Sequence, residues 1–555
     1  MITVDQVYKN ANVFTSAARD FRATSFAIND GKFVYVGDEE GLSDFDGETI
    51  DLQGKFVMPG IIDSHIHIAI NTVMEYAPPF VPINVEGKQA ILDFIRNYVK
   101  ANPGLDVYHF MLANYSLHGE KLTRWDLDEI ISDSQIVIME DIGHSGWANS
   151  KVLQDNNITN DIEDISPNLS RYDRDENGQL TGFATEAAFQ KFTAKQAENI
   201  TDEQLRDCIK RFFDYCVQMG ITCVYEAGCP DGKHYERVLQ VLCDMDREGM
   251  VPINIECSYM IMDPRQIKNC VEDLNKLDKK YCTEHIRCRI MKIMMDGIES
   301  CRSAALSEPY DDGTYGGRIT DEVTLSKLLV RLNKEGIDFH AHTVGDVALC
   351  TVLDAIELVQ KEIGGKLLIN TTCAHLGVIK DEDILRMADL GVIANYTPAW
   401  HGGSSFPGGV AGAVEILGEK RGRNLNKCGM AWRNGTLVTF SSDDIVFLDF
   451  TDWSPFQGME IGISRTDVTL SPEPGDYSKA EFYPPASECM TIEQMILGYT
   501  INGAKQLRLE AAKGSIEVGK DADFIVLQEN LLEIPTQGMM NIIPEQVFFN
   551  GKQVN

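Results

Sequence analysis

Four times between residues 203 and 400, an amphipathic helical stretch runs into a glycine and then straight into an apolar strand. "EQLRDCIKRFFDYCVQMG" leads to "ITCVYEAG", and "HYERVLQVLCDMDREG" leads to "MVPINIECSY". "LSKLLVRLNKEG" leads to "IDFHAHTVG", and "DEDILRMADLG" leads to "VIANYTPAW". In the first unit Leu205, Ile209, Phe212, Cys216 and Met219 recur at helical spacing and form one apolar face. Glycine just past each helix end is the usual left-handed cap. Strands that are apolar throughout, alternating with such helices, require a parallel sheet covered on its outer face. Extending the count gives eight strands, near residues 60–67, 221–227, 251–258, 287–295, 337–344, 369–375, 392–397 and 436–443. Eight parallel strands in series predict an α/β fold of the (β/α)8 TIM-barrel type, with its chemistry at the strand C-termini.

At 555 residues the chain exceeds one hydrophobic core, so two or three domains are expected. The first stretch, from "VYKNANVFT" to "ETIDLQGKFVMPG", and the tail, from "KGSIEVGKDADFIVLQENLL" to "PEQVFFNGKQVN", read as short strands broken by turns. Neither end makes a core alone. Residues 1–58 and 505–555 are therefore expected to pair as one small β-sandwich domain, with the barrel domain over 59–504. The gap between strands one and two, about 72–200, is too long for a crossover and is expected to hold an insert or lid.

The formal net charge of −34 argues against nucleic acid and anionic membranes as partners. "MITVDQVYKN" lacks a basic start before an apolar core, and no apolar run approaches the roughly 20 residues of a membrane span. The 14 cysteines contain no C-x-x-C pair, the pattern of a reduced interior. A cytoplasmic protein follows as the expectation, with homo-oligomerisation left open.

The chemistry begins at "GIIDSHIHIA", residues 60–69. Strand alternation would send His65 and His67 to one side together with Asp63. A metal site and a structural pair both remain open at this point. Further candidates fall on other strands: Lys292 in "RIMKIMMDG", His340 and His342 in "FHAHTVGD", His375 in "INTTCAHLG", and Asp443 with Asp444 in "TLVTFSSDD". Each alone reads equally well as a core residue, but together they crowd the catalytic ends of five strands.

"MPGIIDSHIH", Lys292, His342, His375 and Asp443 resemble the metal-dependent amidohydrolase superfamily, in the order of its members with two metals. "GHSGWANSKVL", "GQLTGFATEAA", "KIMMDGIESCRSAAL", "HTVGD" and "GSIEVGKDADFIVL" resemble its amidohydrolase-3 branch, which includes N-substituted formamide deformylases. The resemblance spans nearly the whole chain. It implies two divalent metal ions, with zinc the first choice and iron or manganese compatible with the same ligands. His65 and His67 would bind the more buried ion with Asp443, and His342 with His375 the more exposed one. Lys292 would bridge both as a CO2-derived carbamate; the alternative is a salt bridge from Lys292 to Asp296 or Glu299.

The "HTVGD" match assigns the ligand to His342 and leaves His340 one layer deeper. Asp63 and Asp346 are expected to hold ligand orientation. His144, Trp147, Tyr396, Trp400 and His401 are candidates for binding substrate, each with a packing role as its alternative. The glycine-rich "HGGSSFPGGVAGA" after strand seven is read as a mouth loop or a surface turn.

The implied function is hydrolysis of a C–N bond in a small amide or formamide-like substrate. A metal-bridging hydroxide would attack, and Asp443 would carry the proton to the departing nitrogen. On alternation Asp444 would point to the opposite side of its strand. The rivals are a cyclic amidohydrolase or deaminase on the same fold, and a non-catalytic scaffold that would be expected to have lost ligands.

Overall fold

The computed structural model describes every residue except 18–21, 77–79, 114–116, 118, 141–142, 194–195, 444–452 and 472. Asp444 therefore lies outside the described residues. The eight apolar segments form one parallel sheet: β1 (Ile61–Ile66), β2 (Ile221–Glu226), β3 (Asn254–Ile261), β4 (Ile286–Met294), β5 (Asp338–Gly345), β6 (Thr371–Val378), β7 (Ile393–Tyr396) and β8 (Val438–Phe440). They are hydrogen-bonded in chain order. The sheet curls until its edges meet. Ser64 Oγ donates to Phe440 O at 2.7 Å, and Asp443 N donates to His65 O at 2.8 Å. This is a nearly closed (β/α)8 barrel.

The helices fold as their spacing requires. Asp202–Met219 starts at Thr201, whose side chain caps Gln204 N in a reciprocal capping box, and ends at Gly220 with φ 76°. Gly336 and Gly391 end their helices in the same left-handed conformation. Leu205, Ile209, Phe212, Cys216 and Met219 are all buried against the barrel wall.

Both chain ends build the predicted β-sandwich. One sheet runs Lys32–Gly37, Ser25–Asn29, Ile2–Lys9 and Phe45–Asp51; the other joins Gln546–Phe549, Phe524–Leu527, Phe56–Pro59 and Asn12–Phe14. Tyr8, Phe26 and Phe33 from the first meet Phe524 and Phe548 from the second in a shared core. Strand Phe56–Pro59 leads within two residues to β1, so the sandwich anchors the strand that carries the first histidines.

The insert after β1 contains a six-stranded mixed sheet, from Val81–Ile83 to Leu180–Thr185, with two hydrophobic clusters of its own. Among the described residues no helix is long and apolar enough to cross a membrane.

Candidate metal centre

Strand alternation alone does not place the first two histidines. The register between β1 and β2 shifts between Asp63 and Ile66, so one residue is extra there. His65 and His67 still reach a common point: His65 Nε2 and His67 Nε2 lie 3.4 and 3.5 Å from the same oxygen, Asp443 Oδ1. Asp63 does not join them. Its carboxylate accepts from Ser442 Oγ at 2.5 Å and Ser442 N at 3.1 Å, fixing the turn that carries Asp443.

Asp443 itself stands three residues beyond β8, at φ 50°, and His375 sits at φ 76°. The left-handed backbone turns His375 away from the direction of its neighbours on β6. Ala374 shares the register position of His342, so simple alternation would have sent His375 the opposite way. Its Nδ1 instead lies 3.7 Å from Asp443 Oδ2, buried and without a hydrogen-bond partner among the described residues. The His342 and His375 rings are 4.5 Å apart. Lys292 Nζ, on β4, is 3.2 Å from His65 Nε2. Asp443 thus faces one imidazole pair with one oxygen and His375 with the other.

The donor set fits divalent ions. Tetrahedral ligands about 2.1 Å from an ion stand about 3.4 Å apart, which is the spacing of Asp443 Oδ1 to each Nε2. His67 Nδ1 donates to Gly228 O at 2.8 Å, leaving Nε2 bare. His342 Nδ1 meets Asp296 Oδ1 at 3.2 Å, which likewise frees its Nε2. Burial, and then Lys292, holds His65 and His342 far below the usual histidine pKa; for His67 the same causes push it down to about 3. Neutral imidazoles are what a cation requires. Burial also lowers Lys292, against the pull of Asp443. The arrangement offers bare nitrogens, a carboxylate and an amine that burial drives toward neutrality.

His340 lies deeper in the barrel, level with Lys292, and its Nε2 is 3.0 Å from His65 Nδ1. With His65 Nε2 facing the centre, Nδ1 donates and His340 accepts. His340→Ala should therefore weaken metal binding by roughly 10–100-fold, the usual scale for losing a group that orients a ligand. Competition against a chelator measures this, and an unchanged affinity would reduce His340 to a packing residue.

The supporting carboxylate that sequence reading did not place is Asp296. It takes His342 Nδ1 and also accepts from Val344 N, Gly345 N and Ala305 N at 2.8–3.1 Å. In the sequence its one signal is its position four residues after Lys292, which makes it a salt-bridge candidate for that lysine. Asp346, the first residue of the helix after β5, does something else: it accepts from Ser307 N at 2.9 Å and pairs with Lys380.

Of the substrate-binding candidates, two border the centre. The His144 ring lies 6.1 Å from that of His342, and the Trp400 indole stacks on His375 at 5.4 Å and 17°. Trp400 is 42% exposed, so its indole has a solvent-facing surface beside His375. Burial would lower the pKa of His144, but Glu186, Asp443 and Glu140 together raise it above the usual value. The other three candidates are not brought in. Trp147 packs on Phe183 in the insert core. Tyr396 and His401 pack edge to face with one another beside Cys428, and no ring contact or hydrogen bond among the described residues links them to His65, His67, Lys292, His342, His375 or Asp443.

A family profile described as "Amidohydrolase family" matches residues 48–555. The Exoenzymes regulatory protein AepA of Pectobacterium carotovorum subsp. carotovorum is 27% identical over 71% of this chain and 85% of its own. The N-substituted formamide deformylase of Arthrobacter pascens is 24% identical over 99% of this chain and 97% of its own. Among solved structures, an uncharacterized metal-dependent hydrolase from Pyrococcus horikoshii OT3 superposes with a TM-score of 0.65 at 22% identity. That match covers 96% of this chain and 99% of the other, and it shows the shared fold.

Proposed function

The chain belongs to the amidohydrolase family, and from that premise we propose that it is a metal-dependent hydrolase cleaving an amide or formamide-like C–N bond of a small substrate. The observation that carries this reading is the meeting of His65 Nε2 and His67 Nε2 on one oxygen of Asp443, with the buried, orphaned His375 Nδ1 at the other. Two divalent ions, zinc first, would be held by His65, His67 and Asp443 on one side and by His342 and His375 on the other. Lys292, as a carbamate, would join them. Once bound, such ions supply a Lewis acid and lower the pKa of water toward neutrality.

The chain's own groups then divide the work. Asp443 accepts the proton of the attacking water and gives it to the departing nitrogen. Trp400 beside His375 and His144 beside His342 would contact the substrate. Asp296, His340 and the Gly228 carbonyl keep the imidazoles from rotating. The relation to a formamide deformylase supports N-substituted formamides as the first substrates to try. A scaffold role has less support, since none of the six predicted ligands has been replaced. All fourteen cysteines are unpaired thiols, which supports a reducing, cytoplasmic setting.

Removing metal with a chelator should abolish hydrolysis, and adding back zinc, iron or manganese should restore it. The assay is a screen over N-formyl, N-acyl, cyclic-amide and N-carbamoyl compounds. Full activity in protein shown by elemental analysis to be metal-free would overturn the reading. Turnover of the cyclic amides alone would redirect it to ring opening.

A further inference from the structure

His144 reaches the centre from the insert, and two other segments hold it there. Its Nδ1 lies 2.8 Å from Glu186 Oε2, and Glu186 N donates to the His144 carbonyl at 2.7 Å. The other oxygen of Glu186 accepts from Ser303 Oγ at 2.8 Å, on the segment that follows β4. Ser303 Oγ is held in turn by Ile298 N at 3.0 Å. A Cβ on Gly297 would stand 2.1 Å from Glu186 Oε1 and 2.2 Å from Ser303 Oγ, so this approach needs glycine. Glu186 also adopts φ 51°, which a residue with a side chain keeps only where its surroundings over-determine it.

That structure is built around one buried carboxylate, and what it immobilises is a partly exposed imidazole. With Nδ1 engaged, Nε2 points away from Glu186. No group among the described residues hydrogen-bonds it.

We propose that Glu186 is a positioning residue: with Ser303 it clamps His144 so that the free Nε2–H meets the oxygen of the scissile carbonyl as that oxygen gains negative charge. The clamp rests on the amide-hydrolase reading above for its substrate, and it extends that reading to the insert. A donor fixed in advance gains most when the charge develops, because nothing must reorganise at that moment. Donating from both nitrogens takes the doubly protonated imidazole, and the Glu186 carboxylate faces that ring at 2.8 Å.

A double-mutant cycle on the metal-loaded enzyme tests the coupling. His144→Asn should lower kcat by roughly 10²–10³, the scale of one lost oxyanion donor. Glu186→Gln should lower kcat by roughly 10–100-fold with KM little changed. The double variant should be no slower than His144→Asn alone. Losses that multiply instead would show Glu186 acting other than through His144, and the proposal would fall. Ser303→Ala should give a smaller loss in the same direction, and keeps the test alive if Glu186→Gln folds poorly.

A second measurement needs no turnover. In proton NMR of ¹⁵N-labelled, metal-loaded protein, the Nδ1 proton of His144 should lie far downfield and move upfield in Glu186→Gln. An unchanged signal overturns the clamp. A moved signal with no amide hydrolysed supports the clamp and counts against the amide reading instead.

Discussion

Asp443→Asn should leave much of the metal in place while kcat falls by roughly 10²–10⁴, the scale of losing a general acid–base. The substitution isolates chemistry from geometry. Asp443 occupies a left-handed backbone conformation at φ 50°, which asparagine tolerates as well as aspartate. The backbone bond from Asp443 N to His65 O and the Asp63–Ser442 bonds do not involve the Asp443 side chain, so the turn should persist. An asparagine can still present one oxygen between His65 Nε2 and His67 Nε2. It cannot take a proton from water at neutral pH. Burial, opposed by Lys292 and then His144, pushes the Asp443 carboxyl upward from the usual carboxylate range. That shift suits a group which must gain and lose a proton in each cycle. Elemental analysis and steady-state kinetics on one preparation check both halves. A variant that loses its metal and its activity together would make Asp443 only a ligand. One that keeps kcat would move the proton transfer to another residue.

How far the sequence reveals this site depends on which physical rule places each residue. The barrel was legible because four repeats of helix, glycine and apolar strand leave few other arrangements. Lys292, His340 and His342 obey strand periodicity and could be set on one inward face from spacing alone. His375 and Asp443 could not. Both turn in through left-handed backbone at residues other than glycine, which no pattern of apolar residues announces. The β1 register shift likewise separates Asp63 from His65, although both occupy alternate positions in the sequence. For His375 and Asp443, resemblance to a family supplied what periodicity lacked. The aromatic candidates show the opposite failure. Trp147 pairs across strands with Phe183 and fills the insert's own core, a contact set by a mixed sheet whose short strands carry little pattern. Tyr396 follows Asn395, whose amide bonds Ser64 and Thr439 within the barrel, so Tyr396 faces the other side. Trp400, beyond the strand end, escapes that alternation and reaches His375.

Lys292→Met should reduce bound metal below two ions per chain and lower kcat/KM by roughly 10²–10⁴, the scale of several kcal/mol of charge stabilisation. Methionine matches the length of the stem and brings no charge or unpaired donor into a position that is fully buried. The fold should therefore survive the change. The argument turns on what an amine does at this position. Its Nζ is 3.2 Å from a nitrogen that also faces Asp443, and Lys292 and His65 are both fully buried. An ammonium there would repel any divalent ion held by His65 and His67. Burial already drives Lys292 toward the neutral amine, and a neutral amine can attack CO2. The new N–C bond would turn the neutral amine into an anionic carbamate, and one proton would leave to solvent. The product has two oxygens for two ions, while the amine had none. Asp296, the alternative partner, is occupied by His342 and three backbone amides and makes no bond to Lys292. Protein loaded with metal in ¹³C-bicarbonate should show one slowly exchanging carbamate carbon, absent from Lys292→Met. If the wild type binds two ions with no carbamate signal, the bridge must be another group. If Lys292→Met keeps two ions and full activity, Lys292 is no more than part of the barrel wall.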